Sequence, residues 1–365
     1  MKVILLIDAN SIYCKEYIEN VLLGKYEVIV LSYQYNRRFR KYYKENGIRV
    51  WDSPDVNELL KKAEKQITSN DIFHVHFVNP CMLKILQKPY MKCQKRILTY
   101  WGSDLLRTSF IERYSALPYI YNADIITVIN DVMYQKLRKM VVRRKQRCIK
   151  CLDFGNSFFN MIDEVSNQMS VEECKAYWGL EPEKIIVSVG YNAIKEQQHL
   201  EMMQEVVKLP KKVLQKLFFV FHFGYGKKEN LYIKQLNMTL QKNHIQYKII
   251  EQFLDKKEIA ILRLSTDIFL YGQTTDALSA SVMEYLYAGA VLIKPKWIDY
   301  SELSDMGISY SEYKSFQEIP HLLIDLIRHG INRTMKNRGV LKRTKSWEAL
   351  SSEWEALYKE NSNVK

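Results

Sequence analysis

Short runs of β-branched and aromatic residues alternate along the chain with longer stretches of mixed polarity. Apolar runs fall at residues 2–7, 26–33, 48–51, 72–77, 96–101, 125–129 and 148–154, and the segments between them are long enough for helices. The pattern then starts again, with runs at 184–190, 217–224, 247–253, 267–271 and 290–294. Amphipathic stretches near 197–208, 228–242, 256–264 and 281–288 separate this second set. Near-continuous apolar strands joined by helices predict parallel sheets covered on both faces. Two such series predict two doubly wound α/β domains of the Rossmann-like kind, 1–165 and 166–365, joined within the polar stretch 158–183. In "WDSPDVNELLKKAEKQ", Ser53 is the expected N-cap, Pro54 the first helical position and Asp55 a charge at the positive end of the dipole. The last stretch, "SWEALSSEWEALYKE", puts Trp347, Leu350, Trp354 and Leu357 on one helical face and is expected to close the second domain.

Length agrees with this division: 365 residues at about 150 per domain make roughly two domains, each able to bury a core. Apolar content of 47% and charged content of 26% match a soluble globular protein rather than a disordered or membrane-spanning one. The run Val3–Ile7 in "MKVILLIDAN" is too short for the apolar region of a secretion signal, and Asp8 follows at once, so it is expected to form a buried first strand. No stretch reaches the roughly 20 apolar residues that span a bilayer, and a cytoplasmic protein is expected. The six cysteines (14, 81, 93, 148, 151, 174) are scattered and suggest no disulfide framework. Cys148 and Cys151 form a lone C-x-x-C without a second pair, which reads as ordinary strand cysteines.

In an open parallel sheet, ligands sit at the carboxyl ends of the strands. After the first run of the second series comes "SVGYNAIKEQQHL", with Gly190, Asn192 and Lys195 in a strand-to-helix loop. A glycine lets the backbone approach a phosphate, and a lysine neutralises its charge; an ordinary turn with a solvated lysine is the competing reading. "FGYGKKEN" follows the next run, with Gly224 and Gly226. "EQFLDKKE" places Phe253 and Leu254 where a planar base could pack. Then "TTDALSASVMEYLYAGA" puts Asp276 before a helix start at Ser279 and Ser281, with Glu284 in the first turn. A helix N-terminus attracts anions, the serines add donors without bulk, and the two carboxylates can meet polyols on either side. This arrangement suits the pyrophosphate of a sugar nucleotide. The bland alternatives are a capping box from Ser281 to Glu284 and an Asx-turn at Asp276.

With these motifs in order, the chain resembles the group 1 glycosyltransferases of the GT-B fold, which pair two Rossmann-like domains across a cleft. The family signature is an acidic residue, seven residues, then Glu, followed by small residues and Gly; here Asp276, Glu284, Ala288 and Gly289 match in register. "DIFHVHF", "TYWGSDL", "ADIITVIN" and "LDFGNSFF" resemble successive elements of the family's first domain. The resemblance implies transfer of a sugar from a nucleotide sugar, which is a substrate rather than a cofactor. The nucleotide would lie on the second domain, with the base near Phe253 and Leu254, the ribose on Glu284 and the diphosphate on Lys195, Ser279 and Ser281. The donor sugar would face Asp276, and the acceptor would lie on the first domain. Retention is favoured over inversion. A general base, for an inverting reaction, would be Asp8, His76 or Asp104. No Asp-x-Asp occurs in the chain, so no metal is expected. Four positions depart from the pattern. The usual first Glu is Asp276, and the usual Arg after Gly190 is absent. Trp101 replaces the His of the glycine loop, and Asp8-Ala9-Asn10-Ser11 replaces a glycine-rich loop after the first strand. "GYNAIKEQQHLEMM" also resembles inverting fucosamine transferases that act on lipid-linked sugars.

Charge adds a partner. The net charge is +13; residues 1–160 carry 27 Lys and Arg against 15 Asp and Glu, and the remainder 27 against 26. The excess lies in the first half, within "YNRRFRKYYKENG" and "MYQKLRKMVVRRKQRC". Basic-amphipathic stretches suit an anionic lipid surface. No nucleic-acid-binding motif accompanies them. The expectation is a glycosyltransferase building cell-surface polysaccharide or glycolipid, soluble or peripheral on the inner face of the plasma membrane. The alternative is a catalytically silent homologue that binds sugar nucleotides as an accessory subunit.

Overall fold

The computed structural model describes residues 1–78 and 93–360. The chain forms two compact units, Met1–Gly155 together with the segment from Lys345 onward, and Asn156–Thr344.

The first unit holds seven strands: β1 (Lys2–Leu6), β2 (Glu27–Ser32), β3 (Arg49–Asp52), β4 (Ile72–His76), β5 (Lys95–Thr99), β6 (Ile125–Val128) and β7 (Ile149–Cys151). Their order is β3-β2-β1-β4-β5-β6-β7, parallel throughout. The second unit holds β8 (Ile185–Val189), β9 (Leu217–His222), β10 (Tyr247–Ile250), β11 (Ile268–Leu270), β12 (Val291–Pro295) and β13 (Ser311–Tyr313). Their order is β10-β9-β8-β11-β12-β13, again all parallel. Each predicted run forms a strand. β13 was not predicted, because three residues reading Ser-Glu-Tyr carry no apolar run.

Strand order reverses between β1 and β4 in one sheet, and between β8 and β11 in the other. Two connections leave in opposite directions at such a point and open a crevice at the strands' carboxyl ends. In the first unit this places Asp8 and His76 at the switch point; in the second, Gly190 and the segment Gln273–Asp276.

Three expectations change. The helix Val56–Gln66 is capped by Asp55, whose side chain accepts from Asn57 N at 2.8 Å, and not by Ser53. Ser53 instead accepts from Asp55 N and donates to Glu58. The polar stretch 158–183 is no linker: it folds as helices Phe158–Gln168 and Val171–Tyr177, both in the second unit, and the division falls after Gly155. The terminal helix Trp347–Lys359 belongs to the first unit, not the second.

That last assignment follows from where the helix buries its stripe. Trp347, Trp354, Leu357 and Tyr358 join Tyr17, Ile18, Val21 and Leu22 in one core. Tyr358 Oη lies 2.8 Å from Tyr17 Oη and 2.7 Å from His74 Nδ1. Lys95 Nζ donates to the carbonyls of Leu357 and Tyr358, satisfying the helix's open C-terminal acceptors. Trp354 Nε1 donates to Asp153 O at 2.8 Å.

Among the five described cysteines, Cys148 is buried and Cys151 exposed; Cys81 lies outside the described residues. Among the described residues, no helix is long and apolar enough to cross a membrane.

Candidate functional site

The second unit gathers its polar residues around the start of the helix Ala280–Tyr287. Ser279 is the N-cap, but its side chain makes no capping bond, and its buried Oγ finds no partner. Instead, Asp276 Oδ2 accepts from Ser279 N at 2.9 Å and from the hydroxyl of Tyr300. The backbone enters through Leu278 at φ 60°, a left-handed conformation costly for a branched residue. The alternative, a capping box from Ser281 to Glu284, does not form, because the helix begins two residues earlier than such a box needs.

Glu284 meets a residue that sequence reasoning missed. Arg263, on the helix Lys256–Ser265, is 1% exposed. Its Nε donates to Glu284 Oε2 at 3.2 Å, and its Nη2 to Ser281 Oγ at 3.4 Å. The guanidinium lies 4.0 Å from the centroid of the Tyr285 ring. Its Nη1 is buried and finds no partner among the described residues. Nothing in "ILRLSTDIF" flags this arginine, since it sits among the apolar residues of a core-facing helix. Nearby, burial and then the Arg263 charge push His222 down to about 3, so its ring is neutral. Among the described residues, neither ring nitrogen of His222 has a partner.

The loop after β8 carries Gly190 at φ 61°. A Cβ there would come within 2.6 Å of His199 Nε2 and 3.0 Å of Gln197 Oε1, so both conformation and space require glycine. Asn192 is buried and accepts from Ile194 N. Lys195 points outward, 55% exposed, 3.4 Å from Glu229. The loop after β9 meets it: Ala193 N donates to Tyr225 O at 3.0 Å. At Gly224 a Cβ would collide with the carbonyl of Gln252. Phe253 is 63% exposed, whereas Leu254 is buried in the core and offers no face to a base. Gln273, at the end of β11, is fully buried with Nε2 unpartnered.

In the first unit, Asp104 is held by backbone amides. Its Oδ1 accepts from the backbone N–H of Trp101 and Gly102, and its Oδ2 from Val78 N, all at 2.9 Å. Burial raises its carboxyl to about 7 against the pull of those amides. Its role is to pin the loop 101–104. His76 is engaged as well. Trp101 Nε1 donates to His76 Nδ1 at 3.3 Å, so the neutral ring carries its proton on Nε2, which is buried and unpartnered. Burial holds the ring down to about 3. Of the three candidates, Asp8 keeps an accessible carboxylate: it is partly exposed, and its Oδ1 accepts from Asn10 N and Nδ2.

These two parallel sheets define a GT-B fold, and comparison with known proteins supports this. Residues 2–130, most of the first unit, match the family described as glycosyl transferase 4-like. Anabaena HepE in complex with UDP shares 14% identity over 99% of this chain and 100% of that one, with a TM-score of 0.76. HepE in complex with UDP-glucose gives 12% over 99% and 100%, at 0.74. Sucrose-phosphate synthase from Thermosynechococcus elongatus gives 12% over 98% of each chain, at 0.75. At these identities the likeness establishes the fold. No curated protein matches the chain. The first unit thus matches a glycosyltransferase family model, and the chain as a whole shares the GT-B fold of these solved structures.

Proposed function

We propose that the chain transfers a sugar from a nucleotide sugar to a glycan or lipid-linked acceptor, with the donor held by the second unit. One observation carries this reading. Buried hydrogen-bonding groups without partners, Ser279 Oγ and Gln273 Nε2 among them, collect where the switch point and a helix N-terminus coincide. Buried polar groups are normally satisfied, so such a cluster calls for a polar ligand. A diphosphate would take the helix amides, Ser279 and Ser281, with Lys195 at its solvent side. The ribose would meet Glu284, the base Phe253, and the donor sugar Asp276. That HepE is seen with UDP and with UDP-glucose supports the same class of donor.

Reaction breaks the bond from the sugar's anomeric carbon to the diphosphate and forms one to an acceptor oxygen. The acceptor's proton departs, and the nucleoside diphosphate leaves. Leaving-group charge is met by the amide dipoles and the lysine rather than by a metal. We place the acceptor on the first unit and assign retention. An inverting course would use Asp8 as base.

The acceptor's setting is inferred from the first unit's surface. In the helix Phe110–Ser115, Phe110, Ile111 and Tyr114 are exposed, Ile111 by 78%. Arg107, Arg138, Lys139, Arg143 and Arg144 are also exposed in this half of the chain. Apolar side chains with basic neighbours fit an anionic bilayer, about 1 kcal/mol per cation near the surface. On this reading the protein works at the cytoplasmic leaflet and its product is a polysaccharide or glycolipid.

The second reading, a silent accessory subunit, draws on Trp101 at the usual histidine position. Calorimetry with UDP, GDP and dTDP, followed by hydrolysis of the matching nucleotide sugars, separates the two. Binding with hydrolysis or transfer supports the enzyme; binding without turnover on any acceptor supports the accessory role. Absence of binding to all three removes both.

A further inference from the structure

We infer that Arg263 supplies the guanidinium that binds the diphosphate, in place of the arginine missing after Gly190; this rests on the nucleotide reading above.

The usual position is unavailable here. Gly190 is followed by Tyr191 and the buried Asn192, neither cationic. Lys195 is largely in solvent and engaged by Glu229 at 3.4 Å. Exposed lysines exchange partners readily and are worth little individually. A lone lysine is therefore a weak holder for a doubly charged group.

Arg263 reaches the same place from another element. Its Nη2 touches Ser281, in the first turn of the helix Ala280–Tyr287. Nη1 belongs to the same rigid plane, so it lies beside the same turn. It is buried and finds no partner among the described residues. The N-cap hydroxyl of Ser279, at the same turn, is likewise buried and unpartnered. A buried N–H pair left open at a helix's positive end is suited to a phosphate oxygen.

The surroundings fix the group rather than free it. Glu284 holds Nε, and the Tyr285 ring lies against the guanidinium face. Five donors in a planar fork allow one edge to be spent on Glu284 and another to remain for ligand. The neutral His222 adds no competing charge. Arg263 thereby links the carboxylate assigned to the ribose with the turn assigned to the phosphate nearest it.

The test compares Arg263→Gln, Arg263→Lys and Lys195→Ala by calorimetry. The ligands are the best-binding of UDP, GDP and dTDP, its parent nucleoside, and inorganic pyrophosphate. We expect Arg263→Gln to weaken the nucleoside diphosphate and pyrophosphate by at least about tenfold while leaving the nucleoside within about threefold. Arg263→Lys should recover part of the loss, and Lys195→Ala should weaken the nucleoside diphosphate and pyrophosphate less than Arg263→Gln does. A merely structural arginine would weaken nucleoside and diphosphate together. The inference is overturned if a folded Arg263→Gln keeps the wild-type ratio of diphosphate to nucleoside affinity. Should Arg263→Gln not fold, Arg263→Lys decides alone: a loss of diphosphate and pyrophosphate affinity with the nucleoside within about threefold upholds the inference, and a wild-type ratio of diphosphate to nucleoside affinity overturns it. Wild-type protein that binds none of the three nucleotides fails the underlying nucleotide reading instead.

Discussion

Trp101 donates its indole N–H to Nδ1 of His76, and the bond fixes the histidine as a proton donor on Nε2. The ring cannot then accept a proton from a substrate. We expect His76→Gln to keep glycosyl transfer within about threefold of wild type, given that general base catalysis contributes about 10²–10⁴-fold where it operates. A hundredfold loss in kcat without a change in melting temperature would restore His76 to the reaction.

Four buried histidines make the fold sensitive to acid. Burial holds His76, His199 and His222 down to about 3, and His74 well below its ordinary value. Between about 3 and the unfolded value near 6.5, the unfolded chain binds more protons than the folded one. Stability is therefore full above about 6.5 and falls as pH is lowered, by up to about 1.4 kcal/mol per pH unit for each histidine. Urea midpoints measured between pH 7.5 and 5 should drop steeply. His222→Gln should flatten the slope, whereas a pH-independent midpoint would refute the neutral assignment.

Glu284 is tied to Arg263 in the core, and this changes what its removal does. Sequence reasoning alone expects Glu284→Ala to weaken nucleotide binding more than stability. The buried pair adds a second cost, because removing one partner strands a charge: about 3–5 kcal/mol. Chemical denaturation should show that loss for Glu284→Ala. The double variant Arg263→Met with Glu284→Met should recover most of it, and no recovery would mean that the pair is not the source.

Asp276 accepts from Ser279 N and Tyr300, so it both shapes the helix entry and stands at the proposed donor sugar. Asp276→Asn keeps an acceptor for the amide while removing the charge. Steady-state kinetics should show kcat falling by about ten- to a hundredfold with KM little changed. Equal kcat in variant and wild type would confine Asp276 to the turn.

The terminal helix completes the first unit's core. Residues 1–155 expressed alone should aggregate, and co-expression with 345–365 should restore soluble protein. Gly155→Ala should cost about 1–3 kcal/mol, because a Cβ there would lie 2.5 Å from the Cα of Trp347. Wild-type stability in that variant would contradict the packing.

How much of this was written in the sequence depends on the range of each interaction. Strands β1–β12 follow from runs of apolar residues, and the two-series pattern follows from their spacing, because burial on both faces is a local compositional demand. Gly190 and the Asp276–Glu284 spacing were equally legible, since a turn and a helix start are short-range features. The amphipathic stripe of the terminal helix was visible, but a stripe does not name the surface that covers it; Tyr17, His74 and Lys95, more than 250 positions away, decided that. In the same way, Asp104 and His76 have the chemistry of bases. Only packing shows that three amides and one indole have claimed them. Arg263 lay unmarked in an apolar helix, and its meaning came from Glu284 and Ser281 on a different helix. The sequence by itself determined which segments become strands and helices, because propensity and hydrophobic period act within a few residues. Tertiary structure decided which polar groups are satisfied and which are left open, because hydrogen bonds and ion pairs form between residues that only folding brings within reach.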